Sequence, residues 1–183
     1  MGRSYLIFCI ILLISCDNNK QPRKYRLAKE PAEDNIILEQ SSPKSNIGFT
    51  WSAPNNWNSI NNNSFSLANY QIPYNDDIAD LSITKFPGDA GGVVANVNRW
   101  RGQLELESHS LQQINENSIV GSSMIGNFSV HRLINDNTNQ AFLCAILPYR
   151  DSTIFIKLKS SVMIANLLEK KFLDFCSSFK PLD

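Results

Sequence analysis

The stretch Pro87–Leu104, PGDAGGVVANVNRWRGQL, decides the fold. Apolar side chains fall at Val93, Val97, Trp100 and Leu104, which puts them on one stripe of a 3.6-residue helix. Asn96, Arg99 and Gln103 form a polar stripe along one flank. Arg101 and Glu105 stand a helical turn apart on the other, where they can pair weakly. A helix with one apolar stripe needs a surface to cover, so the segments on either side are read as the sheet beneath it.

Pro87-Gly88 is a turn signal and Asp89 suits an N-cap, which places Gly91 and Gly92 in the first helical turn. Glycine there costs about 1 kcal/mol per residue against alanine. Close backbone packing, or a ligand at the free N–H groups, is expected to offset that cost. Two readings follow. One is an anion site at the helix N-terminus, assisted by Arg99 or Arg101. The other is a tight strand-to-helix turn, favoured because an Asp89 carboxylate would use the donors and repel an anion. The segment has no Gly-Lys-Ser/Thr ending and no G-x-G-x-x-G spacing, so it is not a nucleotide motif. The candidate binding surface is therefore Gly88, Asp89, Gly91 and Gly92 with the stripe Asn96, Arg99 and Gln103. Asn96 and Asn98 are poor helix formers, and an asparagine-rich composition is the reading given to them.

Before this segment, strands are expected at 48–52, 66–72 and 79–86, with Leu81 and Ile83 alternating against Ser82 and Thr84. The asparagine-rich piece 55–64 reads as a loop, and its Trp57 as a lid folded onto the core. Asp76, Asp77 and Asp80 read as a solvated acidic loop. After it, 109–117 suits a short helix, and 127–134, 141–149 and 153–159 suit an antiparallel meander. Residues 141–147 are apolar on both faces, as in a central strand covered on both sides. A closing helix over 162–177 carries Ile164, Leu167, Leu168, Phe172 and Phe175 on one stripe. Antiparallel strands with helices for both faces imply an α/β fold, a three-layer α/β/α sandwich with a mainly antiparallel sheet.

At the start of the chain, Arg3 precedes an apolar run, Tyr5–Ile14, too short to span a bilayer and suited to a signal-peptide core. The stretch Leu13-Ile14-Ser15-Cys16 resembles the bacterial lipobox. That resemblance implies cleavage before Cys16, a diacylglycerol on its sulfur and a further acyl chain, such as palmitate, on its amine. Two or three acyl chains anchor stably where one does not. Asp17 resembles a retention signal of enterobacteria-like sorting, and the choice between inner and outer membrane stays open.

The division expected is a lipoprotein signal peptide at 1–15, a lipid-anchored linker at 16–46 and one globular α/β domain at 47–183. The linker holds a basic run, Lys20, Arg23, Lys24, Arg26 and Lys29, which suits anionic headgroups or simple solvation equally. Ile36, Ile37 and Leu38 within it suit a short docking segment or nothing.

The opening Phe49–Trp57, FTWSAPNNW, resembles the start of PsbP-like domains, as does the strand at 153–159 followed by a helix closing on Phe172, Phe175 and Phe179. The segment 87–104 resembles a marked segment in a group of bacterial lipoproteins with no assigned activity. The PsbP resemblance implies an antiparallel sheet between helices, and accessory or assembly roles at membranes rather than one enzyme class.

The formal charge is zero, with 17 basic and 17 acidic residues, which disfavours nucleic acid as a partner. With Cys9 in the leader and Cys16 lipidated, Cys144 and Cys176 remain, and two buried thiols are favoured over a bridge. His109 and His131 are the only histidines and lack ligand spacing, so no metal or cofactor is expected. No G-x-S-x-G elbow is present. The resulting expectation is a non-catalytic binding or accessory protein, held to a bacterial membrane by lipid and facing the periplasm or cell exterior, with a protein partner. The alternative is a small-anion or ligand-binding protein, or an enzyme, using the glycine turn.

Overall fold

A computed structural model describes residues 47–61 and 65–182. The expected signal peptide, Cys16, the linker with its basic run, Ile36–Leu38 and part of the 55–64 loop lie outside the described residues. The described residues belong to one compact unit.

Its centre is a seven-stranded sheet in the order β2-β3-β4-β8-β7-β6-β5, and every pairing in it is antiparallel. The strands are β2 (Asn58–Ile60), β3 (Ser66–Tyr74), β4 (Asp77–Pro87), β5 (Ser118–Ser123), β6 (Gly126–Asn135), β7 (Gln140–Tyr149) and β8 (Ser152–Ser160). The helices are α1 (Gly92–Gln103), α2 (Leu111–Glu116) and α3 (Val162–Ser177). A separate two-stranded clasp joins β1 (Phe49–Thr50) to β9 (Lys180–Pro181).

Period-two alternation explains why the sheet carries two cores. On one face Ile83, Leu143, Leu147, Ile154, Ile156 and Leu158 pack with Phe172, Phe175 and Phe179 of the α3 segment. On the other, Phe142, Cys144, Ile146, Phe155 and Leu133 meet Val97, Trp100 and Leu104 of the α1 segment and Ile114 of α2. β7 supplies both faces, which is why 141–147 reads as a continuous apolar run. The three-layer α/β/α architecture expected from the sequence is the one observed.

Several details differ from expectation. The 48–52 strand shortens to β1 and leaves the main sheet. The 55–64 loop contains β2, and Trp57 does fold onto the core, its ring 4.8 Å from that of Phe175. The acidic loop is a β3–β4 hairpin with Asn75 and Asp76 at its tip, and Asp77 and Asp80 lie within β4. Strand β5 was not expected. Its Gly121 lies across from Phe128, whose ring occupies the space a side chain there would fill. Leu167, placed on the core stripe of α3, is 49% exposed, and Ala165 and Cys176 are buried instead.

Candidate functional site

The turn before α1 is built differently from the sequence expectation. Ala90, Gly91 and Gly92 have φ of 50°, 89° and 80°, three consecutive left-handed residues. The N-cap is Gly91, not Asp89, because the chain must leave this left-handed turn before right-handed helix can begin. The expected cause of the glycines, close packing or a ligand, is also replaced. A Cβ at Gly91 would meet nothing within 4 Å and one at Gly92 only Asp89 Oδ2, so the backbone angles themselves select glycine.

Nor does the turn offer open donors at its glycines. Gly91 N–H donates to Asp89 Oδ1 at 3.1 Å, and Gly92 N–H to the Asp89 carbonyl at 2.9 Å. Gly88 is fixed from both sides, donating to the Asp151 carbonyl and accepting from Thr153 Oγ1, each at 2.7 Å. Gly88, Asp89 and Gly91 are exposed, but their polar groups already serve the turn.

Asn96, Arg99 and Gln103 lie along α1 at helical spacing, and they do different things. Asn96 is 2% exposed, so it is not part of a binding surface. Its Nδ2 donates to the carbonyls of Ala90 and Gly92, and its Oδ1 accepts from Arg99 Nη2 at 2.7 Å. Asn98 exchanges two hydrogen bonds with the backbone of His109. These asparagines are positional, not compositional. Arg101 does not pair with Glu105; its Nε donates to the Glu107 carbonyl.

Arg99 and Gln103 are exposed on the flank of α1 that faces the uncovered half of the sheet. There Gln103 Oε1 accepts from Lys157 Nζ at 2.5 Å, and the same ammonium lies 3.8 Å from the Phe142 ring centre. Register places Lys157 beside Ser82 and Lys159 beside Asp80 on this face. A groove of about 380 Å³ lies over β2, β3, β4 and β8, lined by Ile60, Asn61, Asn69, Asp80, Ser82, Lys157 and Lys159 among others and by no residue of α1. Burial lowers the Lys157 pKa; the Cys144 thiol opposes that shift, and the positive charges of Lys159 and Arg99 add to it.

Sequence reasoning missed the two lysines. The signal was the alternation in β8, where Phe155, Lys157 and Lys159 share one face and Ile154, Ile156 and Leu158 the other.

A second cavity, of about 250 Å³, lies between α1, α2 and β6, lined by Val97, Arg101, His109, Ile114, Asn117 and His131 among others. It brings both histidines to one cavity, a proximity the sequence did not indicate. His131 Nε2 lies 3.0 Å from Ser129 Oγ, and burial pushes its pKa down to about 4. Among the described residues no three His, Cys, Asp or Glu side chains group as a metal set. Cys144 and Cys176 are both free and buried, in the opposite cores of the sheet.

No protein-family model matches the chain, and no curated protein matches it either. Among solved structures the chain is similar to cyanobacterial PsbP (CyanoP) from Synechocystis sp. PCC 6803, at 15% identity and a TM-score of 0.48, covering 74% of this chain and 87% of that one. It is also similar to LpqN of Mycobacterium tuberculosis, described as involved in cell envelope biogenesis, at 10% identity and a TM-score of 0.39 over 73% of this chain and 83% of that one. A Bacteroides thetaiotaomicron VPI-5482 protein is similar at 11% identity and a TM-score of 0.43; the match covers 74% of this chain but only 46% of that longer one. Among the described residues no helix is long and apolar enough to cross a membrane.

Proposed function

We propose that this chain is a lipid-anchored, extracytoplasmic binding or accessory protein, non-catalytic, that meets its partner through the exposed flank of α1 and the adjoining groove. One observation carries the anchoring: Leu13-Ile14-Ser15-Cys16 directly closes the apolar run Tyr5–Ile14. The membrane partner is reached through lipid on Cys16, and the remaining partner is a protein.

The surface is supported by the geometry of the stripe. With Asn96 buried and the turn's donors engaged, Arg99 and Gln103 remain as the members of the predicted site that face solvent beside a concavity. The domain then works from outside the cytoplasm, at the periplasmic or outer face of a bacterial membrane.

The test has two parts. Metabolic labelling with a fatty acid is expected to mark the wild type and not Cys16→Ser, which should leave the membrane fraction or stay unprocessed. An unlabelled wild type removes the anchor. Crosslinking in the native membrane, repeated with Arg99→Gln, is expected to yield a neighbouring protein in the first case and lose it in the second. Identical crosslinks in both remove the surface.

A further inference from the structure

We infer that the groove over β2, β3, β4 and β8 binds a small, soluble oxyanion, a carboxylate or phosphate, held by Lys157 and Lys159. This names a ligand for the groove proposed above and rests on that reading only in using the same groove.

Three features converge. First, like charges gather at one place. Lys157 and Lys159 are two residues apart on one face of β8, and both line the groove. Such a cluster is unfavourable unless an anion joins it. Second, the anions of this chain do not fill that role: among the described residues the ion pairs are Arg132–Glu169 and Lys170–Asp174, and neither lysine takes part. Asp80 stands across from Lys159 in register without forming an ion pair. Third, Lys157 is half-buried and held in one place by Phe142 and Gln103, so its charge is pre-positioned rather than freely solvated.

The lining sets the class of ligand. Asn61, Asn69 and Ser82 bring amide and hydroxyl residues to the lining, and Ile60, Tyr70 and Leu81 give it an apolar part. That composition suits an oxyanion carried on a small, partly apolar body. Asp80 disfavours a second negative charge at its end of the groove and suits a hydroxyl or ammonium group there.

The experiment uses the full chain in detergent. Inorganic phosphate and acetate are titrated at constant ionic strength, with chloride as the replaced ion, following the side-chain NMR signal of Lys157 and the thermal midpoint. Saturable binding is expected, with the Lys157 pKa rising toward its ordinary value as the site fills. Lys157→Met, which keeps the stem over Phe142, is expected to weaken binding about tenfold, the effect of one charge-assisted hydrogen bond. Lys159→Gln, at an exposed position, should weaken it several-fold without disturbing the fold, and Lys170→Gln should not change it. A flat titration in the wild type overturns the inference, as does unchanged affinity in folded Lys157→Met or Lys159→Gln.

The outcomes separate from those of the proposed function. A flat titration with crosslinks lost in Arg99→Gln removes the anion and keeps the protein partner. Saturable binding with no fatty-acid label keeps the anion site and removes the anchor.

Discussion

Asn96 Nδ2 lies 2.7 Å from the Gly92 carbonyl and 2.9 Å from that of Ala90, so one buried amide fastens the left-handed turn to the helix that follows it. Asn96→Ala would leave these carbonyls, and the guanidinium of Arg99, without that amide. The expected loss is about 2 kcal/mol, in the range for unpaired buried polar groups. Asn96→Asp should lose at least as much, because a carboxylate cannot donate to a carbonyl. Urea unfolding of the two variants checks this, and wild-type midpoints in both would refute the fastening role.

Ala90 holds φ of 50°, a left-handed angle that disfavours a side chain. Ala90→Gly is therefore expected to stabilise the protein by about 0.5–1 kcal/mol, and Gly92→Ala, at φ of 80°, to destabilise it by about 1 kcal/mol. Thermal midpoints should move in opposite directions for the two single-methyl changes.

A methyl group at Gly121 would lie 2.4 Å from Phe128 Cζ, inside any allowed contact. Gly121→Ala is expected to cost about 1–3 kcal/mol through overpacking. Combining it with Phe128→Leu should be less damaging than the sum of the two single changes. Strict additivity in a double-mutant cycle would count against this contact.

His131 has its pKa pushed below the ordinary value of 6.5 to about 4 by burial, beside Arg101 and His109 in the same cavity and Arg132 next along the strand. The unfolded chain then binds a proton near pH 6.5 that the folded chain refuses until about pH 4. Stability should fall as pH drops through that window, by on the order of 2 kcal/mol, and this part of the pH dependence should flatten below it. Comparing His131→Gln with the wild type across the window isolates the effect; parallel curves would assign it elsewhere.

Burial raises the thiol pKa of both Cys144 and Cys176, so neither forms thiolate near neutral pH in the folded state. Both are expected to resist a thiol reagent until denaturant is added, and then to react together. Rapid labelling of either in native buffer would show that its core opens readily.

Much of the fold was legible because the segments concerned carry strong periodicity. α3 has a long apolar stripe, β7 an apolar run and β8 an apolar stretch running into alternating lysines, and each formed where expected. Strand β5 was not legible: SIVGSS is short and holds a glycine, whose place across from the Phe128 ring no local pattern announces. The left-handed turn was half legible. Pro-Gly and Gly-Gly mark a turn, but their handedness depends on bonds from Asn96, Asp151 and Thr153 that become visible only in three dimensions.

The site divides in the same way. Helical spacing found Arg99 and Gln103 but also selected Asn96, because spacing gives a flank and not a depth. Lys157 and Lys159 were missed because strand order decides that β8 lies beside β4, which places them across from Ser82 and Asp80.

The β1–β9 clasp pairs Phe49 with Pro181, and Leu182 N–H donates to the Gly48 carbonyl. Entry and exit of the chain are thus adjacent. A pull between residues 47 and 182 would peel this small ladder apart one bond at a time and leave the seven-stranded sheet unloaded. For the same reason a short peptide bridge between residues 47 and 182 would close the domain into a ring with little distortion.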